Sequence, residues 1–144
     1  MRLAVDASTL VAEALRRRGR ALLAHPTLDL IVAAAAWNET EHELRRRVME
    51  LVVHGHLEET TATTLLDEVL HMLAQRVMLA PSEVYAHQLE QARLRIPRDP
   101  NDAPTVALAL ALDCAIWTGD RDFFGCGVAV WITETLQAYV QQSV

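Results

Sequence analysis

The sequence predicts an α/β fold in which helices flank a parallel sheet. Short apolar segments, as expected for strands buried on both faces, alternate along the chain with longer segments of helical periodicity. The 144 residues are enough for one domain with a hydrophobic core, and 51% of them are apolar. We find no internal repeat or low-complexity segment, and we therefore expect residues 1–144 to form a single domain.

Five apolar segments are predicted to be strands because each is short and lies between helix or turn signals. They are residues 2–5, 28–33, 78–80, 115–117 and 128–132. The first runs directly into Asp6, and the fourth leads through Thr118 and Gly119 to Asp120. Carboxylates therefore follow two of the predicted strands.

Helices are expected between the strands, where capping residues precede runs with helical spacing. Ser8 or Thr9 is expected to cap a first helix that ends at Gly19. Asp102 is the expected N-cap of the helix before the fourth strand, and Thr133 that of the last helix. The helix after Asp102 is predicted to cover residues 103–112, and the other predicted helices cover residues 36–53, 60–77 and 81–94.

The charge pattern excludes several classes of protein. All thirteen basic residues are arginines, so a P-loop, a Schiff-base lysine and the lysine of a phosphoaspartyl enzyme are absent. The net charge of −6 argues against broad nonspecific binding to nucleic acid. Two cysteines without metal-ligand spacing, no membrane-length apolar run and no signal-peptide pattern lead us to expect a soluble, cytoplasmic protein.

Three carboxylates are expected at one edge of the sheet, where the functional crevice of an open α/β fold lies. Asp6 and Asp120 follow strands, and Glu39 lies near the start of the helix after the second strand. Asp102 precedes a helix that leads toward the opposite edge, so it joins the others only if that helix start points back over the crevice. Such a cluster of oxygen ligands suits Mg²⁺ or Mn²⁺, which would remove the repulsion between the acids.

Each acid also has a structural interpretation. Asp102 is a good helix cap, Asp120 after Thr118-Gly119 is typical of a turn, and Asp6 could begin a turn. Glu39 lies close to Glu43, and most such helical acids are solvated. The metal interpretation therefore depends on the whole set and its spacing.

At these residues the sequence resembles the PIN domain family, which includes the toxin ribonucleases of VapBC toxin–antitoxin pairs. The resemblance covers essentially the whole chain. Its motifs are Val5-Asp6-Ala7-Ser8, a glutamate early in the helix after the second strand, Asp99-Pro100-Asn101-Asp102, and Thr118-Gly119-Asp120-Arg121-Asp122-Phe123.

The resemblance implies a three-layer α/β/α domain with a parallel five-stranded sheet of order 3-2-1-4-5. It implies that the catalytic, metal-binding acids are Asp6, Glu39, Asp102 and Asp120, with Asp122 as a further metal ligand. Supporting roles fall to Asp99, to Ser8 and to Thr118, whose hydroxyls would orient acids or water. Glu43 stays an alternative to Glu39, because residues 33–37 lack the Ser, Thr or Pro usual before that glutamate.

The resemblance further implies a Mg²⁺- or Mn²⁺-dependent endoribonuclease that acts on RNA, dimerises and is neutralised by a small antitoxin. The alternative is a noncatalytic PIN-like module that binds RNA or protein, against which the intact set of acids argues. A phosphohydrolase for small substrates is disfavoured by the absence of lysine and of Asp-x-Asp after the first strand.

Ten of the thirteen arginines form three groups, at residues 16–20, 45–47 and 93–98. A helical run of arginines is usually a solvated face. Its functional alternative is contact with RNA phosphates beside the metal or with an acidic stretch of a partner.

Overall fold

The structure is a computed structural model that describes residues 1–143. Its centre is a parallel sheet of five strands in the order β3-β2-β1-β4-β5, which confirms the predicted topology. The strands are β1 (Arg2–Val5), β2 (Asp29–Ala33), β3 (Val77–Ala80), β4 (Ala115–Trp117) and β5 (Val130–Trp131). In the register, Leu3 of β1 faces Leu30 on one side and Ala115 on the other.

Eight α-helices in the described residues flank the sheet, as expected for a three-layer α/β/α fold. They are α1 (Ala7–Ala14), α2 (Arg17–Leu23), α3 (Ala34–Val53), α4 (Glu59–Arg76), α5 (Ser82–Tyr85), α6 (Leu89–Arg95), α7 (Ala103–Leu112) and α8 (Thr133–Gln142). Within residues 1–143, none of these helices is both long enough and apolar enough to span a membrane.

The core lies around the central strands, whose side chains are buried on both faces as in other parallel sheets. Leu3, Ile116 and Trp117 are fully buried. Helix α7 packs across β1, β2 and β4, and α1 packs against α2 and α3. The start of α7 and the carboxyl ends of β1 and β4 are thereby held in one rigid frame.

The first helix differs from its prediction. The helix breaks at Leu15 and Arg16, and Gly19 lies inside α2 instead of ending the helix. A Cβ at Gly19 would lie 2.2 Å from the carbonyl oxygen of Glu13, so only glycine allows α2 to fold back this closely on α1. The glycine serves a close contact between helices, which looks the same in the sequence as a helix stop.

Three other local predictions are wrong. Residues 81–94 form two helices joined by a short 3₁₀ turn at residues 86–88 and not one helix. Asp6, whose side chain accepts from the Thr9 amide, caps α1 in place of Ser8 or Thr9. Thr133 is the first residue of α8 and does not cap it, because its hydroxyl donates to Glu13 instead.

Candidate metal centre

Strand β1 delivers Asp6 to the edge of the sheet as the first residue after the strand. The side chain is nearly buried, and both oxygens are held from α1. Oδ1 accepts from the Thr9 amide at 3.2 Å, and Oδ2 accepts from the Ser8 hydroxyl at 2.8 Å. Ser8 therefore has the orienting contact with Asp6 that its predicted supporting role needs.

Strand β4, the neighbour of β1, places Asp120 beside Asp6 through a tight turn. The buried Thr118 hydroxyl accepts from the Asp120 amide at 3.0 Å. Oδ1 of Asp120 accepts from the Asp122 amide at 2.9 Å, so Asp120 caps the short 3₁₀ helix that follows. The Gly119 amide donates to the Thr9 hydroxyl at 3.3 Å and ties this turn to α1.

Helix α7 points its start back over the crevice, so that Asp102 joins the acids that follow the strands. Asp102 stands at the N-cap position, but its side chain makes no capping hydrogen bond, contrary to the prediction. Its Oδ2 is buried and has no hydrogen-bond partner among residues 1–143. Capping therefore does not explain this carboxylate.

The two candidate glutamates on α3 lie in different surroundings. Glu39 lines the same pocket as Asp6 and Asp102. Glu43 lies outside that pocket and pairs with Arg46 and Arg47. These two guanidinium groups, Arg46 first, lower the pKa of Glu43 to about 2. An acid already neutralised by two arginines has less to offer a cation, so the geometry favours Glu39.

The acids meet in a cleft of about 150 Å³, which we call the acid pocket. Its polar lining residues are Asp6, Ser8, Glu39, Asp99, Asn101, Asp102, Thr105 and Asp120. Asp122 lies at its margin: one carboxylate oxygen from each of Asp102, Asp120 and Asp122 lies within 4.8 Å of the other two. Asp122 also accepts a hydrogen bond from Arg98 at 3.1 Å.

The acid pocket disfavours negative charge in the absence of a cation. Burial, and then repulsion from Asp99, Asp120, Asp6 and Asp122, raise the pKa of Asp102 to about 7. Burial also raises the pKa of Asp6, although hydrogen bonds from residues 8, 9 and 118 oppose the shift. The pKa of Glu39 is raised by partial burial and by Asp99, Asp6 and Glu43.

A hard divalent cation fits these residues. The pocket offers carboxylate and hydroxyl oxygens as ligands, which Mg²⁺ and Mn²⁺ prefer. The buried Oδ2 of Asp102 has no hydrogen-bond partner among residues 1–143, and a bound cation would supply one interaction for it. A cation would also offset the mutual repulsion that raises the pKa of Asp102. The arrangement is suited to binding a divalent metal ion.

Thr105 and Asn101 line the acid pocket but were not among the predicted site residues. Asn101 lies within the Asp99–Asp102 motif, and its place in that motif was the sequence signal that could have identified it as a site residue. Thr105 lies one helical turn after Asp102 on α7, where helical spacing places it beside Asp102. Its small, buried side chain looks like an ordinary helix residue in the sequence.

Comparison with known proteins gives a consistent picture. A sequence profile of the PIN domain matches residues 4–141. The fold is similar to that of PAE2754 from Pyrobaculum aerophilum, with 19% identity, a TM-score of 0.66, and coverage of 99% of this chain and 90% of that one. It is also similar to FitAcB from Neisseria gonorrhoeae, with 25% identity, a TM-score of 0.59, and coverage of 91% and 96%.

A search of curated proteins gives no match. The PIN profile, however, spans almost the whole chain and contains every residue that lines the acid pocket. The protein therefore belongs to the PIN domain family.

Proposed function

We propose that this protein is a divalent-metal-dependent endoribonuclease that hydrolyses RNA phosphodiester bonds. One observation carries the proposal: the buried Oδ2 of Asp102 has no partner among residues 1–143, although it lies in a pocket of carboxylates. Keeping several carboxylates close together destabilises the folded protein unless these carboxylates bind a ligand. Membership of the PIN family indicates that this ligand is a divalent metal ion.

In this proposal Asp6, Glu39, Asp102 and Asp120 hold Mg²⁺ or Mn²⁺, and Asp122 is a further ligand. The cation, when bound, lowers the pKa of a water and offsets charge on the phosphate and the leaving oxygen. Ser8 fixes the carboxylate of Asp6 through its 2.8 Å hydrogen bond. Thr118 fixes the turn that carries Asp120, and Asp99 holds the Asn101 amide at 2.9 Å at the mouth of the pocket.

The biological setting that we propose is a type II toxin–antitoxin pair. The motif resemblance to the VapBC toxins supports a homodimer that a small antitoxin protein neutralises. Light scattering of the purified protein measures its oligomeric state and so tests for the homodimer. Growth arrest on expression of the wild type, with normal growth on expression of Asp120→Asn, is the expected result for a toxin of this kind.

The decisive experiment is cleavage of single-stranded RNA by the purified chain. We expect cleavage in Mg²⁺ or Mn²⁺, its loss in EDTA, and its loss in Asp6→Asn and Asp120→Asn. Asp67→Asn is the matched control, because Asp67 is exposed on α4, far in sequence from the pocket. Cleavage that persists in EDTA and in both pocket variants would overturn the proposal.

A second comparison identifies the site glutamate. Glu39→Gln should lose metal-dependent cleavage, because Glu39 lines the acid pocket. Glu43→Gln should keep it, because Glu43 is paired with Arg46 and Arg47 outside the pocket. Urea unfolding of each variant separates loss of activity from loss of fold. The reverse pattern of activities would assign the role to Glu43.

A further inference from the structure

A larger cleft of about 680 Å³ opens beside the acid pocket, between α1, the turn after β4 and the start of α8. Because Arg16, Arg47 and Arg121 line it, we call it the arginine cleft. Ser8, which holds Asp6, lines the arginine cleft and the acid pocket. A smaller cleft is lined by Ser8 and Glu39, which it shares with the acid pocket, and by Glu43 and Arg47. Ser8 lines all three clefts, so the arginine cleft and the acid pocket are neighbours on the surface.

The arginines present donors to the arginine cleft. Arg121 is exposed and makes no ion pair among residues 1–143. Arg47 uses only Nε to bond Glu43, at 3.1 Å, and its two terminal nitrogens make no hydrogen bond within the described residues. The side chain of Arg16 is 70% exposed, and its nearest acid atom, on Glu13, lies 3.7 Å away. Guanidinium groups held in this way match phosphate oxygens.

Two acids also line the arginine cleft, and they do not cancel its positive charge. Glu13 is buried, and its Oε1 accepts from the Thr133 hydroxyl at 3.0 Å while facing Arg16. Glu134 is exposed in the first turn of α8. Three arginines against two glutamates make this lining basic in a chain whose net charge is −6. The arginine cleft is thus a local exception beside a strongly acidic pocket.

An aromatic side chain completes the cleft. Phe124 lines the arginine cleft and is 55% exposed. The exposed part of its ring does not contribute to folding stability through burial. Arginines that track a backbone, together with an open aromatic face for a base, are the usual means of holding single-stranded nucleic acid. A duplex keeps its base faces stacked and offers none to Phe124.

We propose that the arginine cleft binds the segment of single-stranded RNA next to the bond that is cut, with Arg16, Arg47 and Arg121 on phosphates and Phe124 stacked on an unpaired base. This inference rests on the proposed ribonuclease function. It adds the path of the substrate and a preference for unpaired RNA.

The test is binding, which is measured without cleavage. The fluorescence anisotropy of a short labelled single-stranded RNA is followed in EDTA, and again in Mn²⁺ with all variants in the Asp120→Asn background. Arg16→Ala and Arg121→Ala should each weaken binding and reduce the slope of log K against log salt by about 0.7. Phe124→Ala should weaken binding at least about 5-fold, and Phe124→Trp should restore it.

Matched controls are Arg18→Ala, an exposed arginine outside the cleft, and Leu94→Ala, an exposed apolar residue on α6. Both should bind as the wild type does. Unchanged affinity and salt slope in the cleft variants, or equally tight binding of duplex RNA, would overturn the inference. If the wild type cleaves RNA in that case, the proposed function stands. If the wild type neither binds nor cleaves RNA, the proposed function fails, and the inference fails with it.

Discussion

Replacing Asp102 by asparagine should stabilise the metal-free protein while removing a proposed metal ligand. Asparagine has nearly the same shape, so the pocket keeps its packing. Its neutral amide replaces a charged carboxylate in a pocket that is also lined by Asp6, Asp99 and Asp120. A substitution at a functional site that raises stability is expected where a site is strained for function.

The size of the effect follows from the pKa of Asp102. That pKa is about 7 in the folded protein and 3.8 for the ordinary group, so the folded state retains a proton that the unfolded chain releases between these values. The free energy of unfolding therefore falls as pH rises through this window. At about 1.36 kcal/mol per pKa unit the full shift would cost about 4 kcal/mol, and solvent around the half-exposed carboxylate reduces this to about 1–2 kcal/mol.

The assay is urea unfolding of wild type and Asp102→Asn in EDTA at pH 8 and pH 5. At pH 8 the variant should be more stable by about 1–2 kcal/mol, which corresponds to a rise in Tm of roughly 2–6 °C. At pH 5 the difference should shrink, because wild-type Asp102 then carries its proton. Asp67→Asn, at an exposed position on α4, should change little at either pH.

Two results would contradict an electrostatic origin of this gain in stability. If Asp102→Asn is no more stable than wild type at pH 8, burial and repulsion in the acid pocket do not destabilise the charged carboxylate of Asp102. A gain that is equal at pH 8 and pH 5 would mean that packing or hydrogen bonding, and not charge, causes it.

Three further predictions concern the metal and the frame that holds the site. Because the pKa of Asp102 is about 7, Mn²⁺ binding should weaken as pH falls below 7 and should release protons, which calorimetry in two buffers of different ionisation enthalpy measures. Gly19→Ala should lower the free energy of unfolding in urea by about 1–3 kcal/mol, because its Cβ would collide with Glu13. The control Gly119→Ala should cause no such collision, because the space around Gly119 is open. Thr133→Val should cost about 2 kcal/mol, measured in the same way, because it leaves the Trp117 indole N–H and buried Glu13 without their shared partner. Equal stability of either variant and the wild type would contradict the packing or hydrogen-bond role assigned to that residue.

Much of the fold was predictable because the strands carry a strong local signal. Apolar segments such as Leu30–Ala33 within β2 are too short for a typical helix and are typical of strands buried inside a sheet, and the order 3-2-1-4-5 followed from the resemblance. Breaks inside helices were less predictable. Nothing in the sequence around Tyr85 or Gln88 marks the 3₁₀ turn between α5 and α6, since neither glycine nor proline is there.

The acids that follow strands were predictable as neighbours, because the carboxyl ends of parallel strands share an edge. The place of Asp102 was not, since it depends on how α7 lies across the sheet. Local rules favour Asp102 as a helix cap, yet its side chain makes no capping bond. The same limit applies to Gly19, whose contact with Glu13 depends on the packing of two helices.

We infer that the acid pocket holds a divalent cation. Calorimetric titration of the wild type with Mn²⁺ at pH 8, beside Asp6→Asn and the control Asp67→Asn, tests it most directly. We expect saturable binding to wild type and to Asp67→Asn, and its loss or strong weakening in Asp6→Asn. No binding to the wild type at millimolar Mn²⁺, or equal binding to all three proteins, would contradict it.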